Sequence, residues 1–383
     1  MFGKSFKLFR LFGFEVNVDL SWLVIAVLVA WSLAAGLFPA QVKGLSSATY
    51  WYMGIAGAIG LFASVIFHEL WHSLIARRFG LEMKGITLFI FGGVSEMAEE
   101  PSGPKVEFWM AVAGPLSSLF LGGAFYGIYL LTRSALSPEP ASVTAVLFYL
   151  GYINGLLAVF NLIPAFPLDG GRLLRSALWG GKRDLLWATR IASSVGNAFG
   201  ILMVVVGVGG VFFGRLDFIS GIWFFLIGMF LSNAARSSYQ QLLLRKGLEG
   251  LKVSRFMEAN PITVSRALSI EHLVEDYIYK HAFKMFPVVD DGRLVGCVTM
   301  QKVKDIPRSE WAIRTVGEIS GGCSADNSVA PNTDAMVALA QMNRSRLSRL
   351  MVVEADKLVG IITLKDMLKF LSIKLELGDA ART

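Results

Sequence analysis

Up to about Ala235 the chain is dominated by long runs without charge, and beyond it charged and apolar residues mix as in a soluble domain. Uncharged spans fall at 20–42, 51–67 (continuing through the residues that follow), 108–132, 141–168, 191–214 and 218–235. Each can cross a hydrocarbon core, which needs about 20 residues, so six crossings are predicted. Residues 6–18 alternate loosely, with Phe6, Leu8, Leu11, Phe14 and Val16 against Lys7, Arg10 and Glu15, which predicts a short strand or an interfacial segment. Residues 85–97, GITLFIFGGVSEM, are β-branched and aromatic and are broken by Gly92-Gly93. That pattern reads as strands about a tight turn, a re-entrant β-hairpin, with an ordinary cytoplasmic loop as the alternative. Non-helical backbone is tolerated at membrane depth only where protein or a water-filled cavity satisfies it. The expected fold is a polytopic α-helical membrane domain of six transmembrane helices with a small re-entrant β-hairpin, then a cytoplasmic α+β module.

Composition agrees: 54% of the 383 residues are hydrophobic and the mean hydropathy is +0.56. The net charge of +7 is read as membrane topology. With the N-terminus cytoplasmic, one face collects Lys7, Arg10, Arg77, Arg78, Arg172 and Arg175 with most of the other loop cations. The opposite face keeps only Lys43, Arg133 and Arg215. Both termini are therefore expected in the cytoplasm of a multi-pass cell-membrane protein. No basic run interleaves with aromatics, so nucleic acid is not an expected partner. Cys297 and Cys323 both lie in the soluble part, which fits a reducing compartment without a structural disulfide. The N-terminal stretch has no typical cleavage site and reads as retained.

Chemistry concentrates in Phe67-His68-Glu69-Leu70-Trp71-His72, which follows an uncharged run without a turn signal. Histidines four residues apart share one face of a helix and can hold one Zn²⁺. Glu69 would then stand beside the open coordination position, able to take a proton from water. The bland reading is a chance match with polar residues snorkelling from a helix end, but an intramembrane carboxylate is costly and marks function. Two of only four histidines lie in this motif, so a third ligand must be another residue type. The fourth span ends in Asn161-Leu-Ile-Pro164-Ala-Phe-Pro167-Leu-Asp169-Gly170-Gly171, where prolines stop the helix and glycines allow a tight turn. Asp169 can complete a His₂Asp site and leave a fourth position to water. Asn161 and Asn154 are two turns apart on one face; either could donate to a developing oxyanion or substrate, or serve as interhelical glue.

These residues resemble the site-2 protease family of intramembrane zinc metalloproteases, through HExxH at His68–His72 and N-x-x-P-x-x-x-x-D-G at Asn161, Pro164, Asp169 and Gly170. The resemblance covers roughly residues 1–235. It implies cleavage of membrane-spanning protein substrates within the lipid bilayer. It assigns His68, His72 and Asp169 as ligands of one zinc per chain, Glu69 as general base and Asn161 as oxyanion donor. Residues 85–97, with Gly92 and Gly93, would receive an extended substrate by strand addition. Unlike some members, the chain shows no obvious inserted PDZ domain.

Residues 236–250 read as a helix leaving the membrane and then a linker. FPVVDDGRLVGCVT at 286–299 then aligns with LMVVEADKLVGIIT at 350–363, a constant shift of 64. Such paired units resemble CBS domains, expected at 251–312 and 313–374 with a tail at 375–383. In that family a G-h-h-T-x-x-D ending binds adenine nucleotides such as ATP or AMP, and the tandem also offers a surface for a homodimer. The second unit has the ending in full, Gly360 to Asp366 with Thr363. In the first unit Lys302 stands where Asp would be. For Thr363 and Asp366 the alternative role is a helix cap. Two rivals to a nucleotide-modulated protease are a CBS-gated transporter or channel and a catalytically silent scaffold. The first would show a repeat in the membrane half, which is not visible; the second is opposed by the intact His68, Glu69, His72 and Asp169.

Overall fold

The computed structural model describes residues 5–90, 92–97, 100–135, 141–322, 326–345, 347–355 and 357–377. Cys323, Phe91 and most of the expected C-terminal tail lie outside them. The chain falls into two compact units, Met1–Tyr239 and Gln240–Thr383.

The first unit opens with β1 (Ser5–Leu11) and β2 (Phe14–Asp19), an antiparallel hairpin. Asp19 then caps α1 (Leu20–Gln41) by accepting the Ser21 N–H at 2.9 Å. Ser46 caps α2 (Ser47–Arg78) in the same way, through the Thr49 N–H. Next come β3 (Met83–Phe89) and β4 (Gly92–Met97). Helices α3 (Pro104–Ala135), α4 (Ala141–Asn161), α5 (Asp169–Lys182), α6 (Leu185–Phe212) and α7 (Phe218–Leu248) follow. All but α5 are long and apolar enough to cross a membrane, giving six such helices among the described residues.

The expected hairpin at 85–97 is present, but as half of a larger sheet. The order is β1-β2-β3-β4, because β2 runs parallel to β3 with Val16 opposite Ile86. The cause is visible in the side chains: Phe14, Val16 and Val18 alternate inward along β2, and Ile86 and Leu88 are buried on β3. The loose alternation at 6–18 thus resolves to strands that complete a sheet. Arg77, at the end of α2, donates to the Phe12 carbonyl at 2.7 Å and lies over the Phe14 ring, which ties the first turn to α2.

In the second unit the 64-residue repeat is structural. Hairpin β6 (Met285–Asp290)–β7 (Arg293–Thr299) pairs with a short parallel β5 (Val264–Ser265). Hairpin β9 (Arg349–Glu354)–β10 (Lys357–Thr363) pairs likewise with β8 (Ser328–Val329). Even the left-handed turn residues correspond, Asp291 and Ala355 both having φ of 47°. Each repeat has its own apolar core, and Met285, Cys297, Met351 and Ile361 form a further cluster joining the two hairpins.

Candidate metal centre

His68 and His72 lie in α2, one turn apart, with 4% and 6% of their surface exposed. Asp169 is the first residue of α5 and is 8% exposed. Its position depends on the Asp-Gly-Gly sequence. A side chain at Gly170 would meet the Leu162 and Ile163 carbonyls, and one at Gly171 would meet the Phe166 backbone, so only glycines let α5 start against this segment. The helix is also pinned from the side. Arg175, counted above among the topology charges, is buried in an ion pair with the buried Glu107 of α3, reaches Glu100 at 3.3 Å and lies over the Phe166 ring.

Three atoms converge. His68 Nε2 and His72 Nε2 stand 3.0 and 3.2 Å from Asp169 Oδ2 and 3.1 Å from each other. The far side of the His72 ring fixes its tautomer, and that of the His68 ring can accept the same one. His72 Nδ1 lies 2.6 Å from the Met110 carbonyl, which can only accept, so that nitrogen carries the proton. His68 Nδ1 lies 2.9 Å from Ser118 Oγ, a partner able to accept its proton. Both Nε2 atoms then present lone pairs to a carboxylate oxygen in a buried space, an arrangement that repels itself without a cation at its centre. For zinc bonds of about 2.0–2.1 Å in a tetrahedron, ligand atoms stand about 3.3–3.4 Å apart, close to the triangle seen. The donor set fits zinc. Sequence reasoning missed Met110 and Ser118; a carbonyl acceptor leaves no sequence signal, and Ser118 is one serine among many.

Gly114 of α3 faces the same point. A Cβ built on it would stand 2.5 Å from His68 Nε2 and in still closer contact with His72 Nε2, so the bare backbone leaves the space open. Glu69, the other candidate acid, has its carboxylate within 4.8 Å of the histidine ligand atoms. Its Oε2 accepts from Ser95 Oγ of β4 at 2.7 Å. Gly93 of β4 lies against the Glu69 stem, where a Cβ would stand 2.8 Å from Cγ. Gly92 faces open space instead, with φ of 132°.

The asparagines part company with the histidines. Asn154 is fully buried and donates to Ser64 Oγ of α2 at 3.0 Å and to the Leu150 carbonyl at 2.8 Å. These bonds are those of the interhelical glue weighed above. Asn161 closes α4 and donates back to the Leu157 carbonyl at 3.0 Å.

In the second unit Thr363 and Asp366 form a mutual cap at the start of α9 (numbering α8 as Ala335–Ser345 and α9 as Leu364–Glu376). Thr363 Oγ1 donates to Asp366 Oδ2 at 2.6 Å, and the Asp366 N–H donates to Thr363 Oγ1 at 3.2 Å. Arg349 stands opposite Thr363 in the β9–β10 register. Burial pulls its guanidinium below the usual value, and the Asp366 carboxylate opposes that shift. Sequence reasoning did not single out this arginine.

Comparison with known proteins gives the same two halves. The model of peptidase family M50 matches residues 56–139 and 137–207, and the CBS domain model matches 253–308 and 316–373. Rip3 of Mycobacterium tuberculosis is 34% identical over 366 residues, covering 95% of this chain and 92% of that protein. This chain belongs to peptidase family M50. Zinc metalloprotease MJ0392 of Methanocaldococcus jannaschii is 31% identical to this M50 protein over 375 residues, with 98% of each covered. The solved site-2 protease from the same organism shares 28% identity, covers 62% of this chain and 95% of that one, and superposes with a TM-score of 0.44. As an M50 member with site-2 protease features, the chain is a multi-pass membrane zinc metalloendopeptidase carrying a C-terminal CBS pair.

Proposed function

We propose that this M50 protein cleaves transmembrane segments of other proteins, with His68, His72 and Asp169 holding one zinc and Glu69 acting as general base. The observation that carries the reading is the buried triangle of His68 Nε2, His72 Nε2 and Asp169 Oδ2 with the Glu69 carboxylate beside it. Zinc bound there would polarise a scissile carbonyl and bring the pKa of a water down to about 7. Glu69 is placed to take a proton from an attacking water and to return it to the leaving amine. The Met110 carbonyl holds His72 in the ligating tautomer, and Ser118 can accept from His68 in the same one. Asn161, by resemblance and by its place just ahead of the 162–166 segment, has a second amide N–H to offer a developing oxyanion.

A transmembrane helix hides its carbonyls, so a substrate must unwind before it reacts. Strand β4 ends the sheet, and its outer edge pairs with no strand among the described residues. An unwound segment can add there, and Gly92 and Gly93 keep that edge clear of side chains beside Glu69. The charge asymmetry of the loops supports both termini lying in the cytoplasm. For the CBS pair, ATP or AMP is assigned to the second unit, where Arg349 adds a cation beside Thr363 and Asp366. Nucleotide can modulate cleavage only through a difference in affinity between active and inactive arrangements.

The direct test is Glu69→Gln in the purified full-length protein with a single-span reporter substrate. The amide cannot take a proton, so zinc is kept and cleavage is lost. Cleavage at the wild-type rate would remove the general-base assignment.

A further inference from the structure

Strand β4 does more than border the site. Gly93 and Ser95 are two residues apart on a strand, so both face α2, and both meet Glu69. Gly93 packs on the Glu69 stem, and Ser95 Oγ lies 2.7 Å from the carboxylate and 3.2 Å from the Glu69 carbonyl. A serine has one proton to donate, and the shorter contact to a carboxylate is the stronger bond. The carbonyl is served instead by Ser73 Oγ at 3.0 Å, one helical turn on, which leaves the Ser95 proton for the carboxylate. Neither serine is explained by packing alone: Ser73 is fully buried on α2, and Ser95 sits in the middle of a strand pairing with Ile86.

We propose that Ser95 is a positioning residue for Glu69, holding the carboxylate in the rotamer that faces the metal centre. The proposal rests on the general-base reading above and deepens it. A glutamate has three side-chain torsions, and Gly93, on the same strand face as Ser95, offers no side-chain atom to fix the last of them. The Ser95 hydroxyl does so. Because the same strand carries the free edge, the group that orients the base and the backbone that receives substrate move together. A displaced or disordered β4 therefore leaves Glu69 misdirected as well as substrate unbound.

The test uses the full chain in detergent or liposomes with a single-span reporter, comparing Ser95→Ala, Ser95→Thr and Glu69→Gln. Loss of a hydrogen bond to a charged group predicts that Ser95→Ala lowers kcat by about 10- to 100-fold. KM and zinc content should stay within twofold of wild type, and Ser95→Thr, which keeps the hydroxyl, should restore most of kcat. In the Glu69→Gln background, where no base remains to be oriented, Ser95→Ala should leave reporter affinity unchanged. Wild-type kcat in Ser95→Ala, a rise in KM at unchanged kcat, or weakened reporter binding in the Glu69→Gln background would each overturn the positioning role while leaving the base assignment standing. Cleavage by Glu69→Gln at the wild-type rate would overturn both.

Discussion

Gly114 offers a sharp perturbation of the metal centre, because it carries no group that chemistry would call functional. A methyl added there stands 2.5 Å from His68 Nε2 and closer to His72 Nε2, whereas a Cβ essentially never approaches another atom within 3.0 Å. It would also stand 2.5 Å from His72 Cε1, so the methyl presses on the imidazoles themselves and pushes the two Nε2 atoms out of the ligating arrangement. Without metal the imidazoles can turn aside; with metal they cannot, and the strain falls on binding. Overpacking of this kind costs about 1–3 kcal/mol, which corresponds to a zinc dissociation constant raised roughly 5- to 150-fold. Competition against a chelator of known affinity, on Gly114→Ala and wild type in detergent, reads that change. Gly123→Ala is the control, since a Cβ there meets nothing within 4 Å on the same helix. Zinc affinity in Gly114→Ala within twofold of wild type would refute the close packing of α3 on the two ligating imidazoles.

Other changes reach the centre from further out. Ser118→Ala removes the partner of His68 Nδ1 and should weaken zinc binding by about 10- to 100-fold, read in the same competition assay. Proline introduced along Gly92–Met97 should impair reporter cleavage at normal zinc content by disturbing the edge strand; cleavage unchanged throughout would argue against strand addition. Arg175→Met strands the buried Glu107 carboxylate and should cost about 3–5 kcal/mol, seen as a lower melting temperature, with Arg175→Met/Glu107→Leu recovering most of it. Asp366→Ala removes the carboxylate that accepts the Thr363 N–H and hydroxyl and should abolish the thermal shift of the full chain in millimolar ATP; an undiminished shift would place nucleotide elsewhere.

The parts of this protein legible in its sequence are those with a period or a motif. Six uncharged runs predict six spans because a hydrocarbon core demands a fixed length of apolar helix. The repeat at 286–299 and 350–363 maps onto two hairpins with the same turn conformation, because each unit buries the same run of consecutive strand residues. What stayed hidden depends on distant segments meeting. Strand β2 pairs with β3 across the whole of α1 and α2, so the N-terminal alternation could not reveal that it completes the sheet beside the centre. Arg175 counted as a loop charge until its burial against Glu107 appeared. Ser95, Ser118 and the Met110 carbonyl belong to types too common to stand out, and only their distances to Glu69 and the histidines distinguish them. Asn154 ties α4 to Ser64 of α2, one of the two roles that an amide two turns from Asn161 suggested.

Zinc counted per chain by mass spectrometry, in wild type, Glu69→Gln and Asp169→Ala purified side by side, tests the central claim most directly. With His68, His72 and Asp169 as the ligands, wild type and Glu69→Gln carry about one zinc each, and Asp169→Ala carries almost none. A folded Asp169→Ala protein that holds zinc at the wild-type level would contradict the assignment of the third ligand and the account built on it.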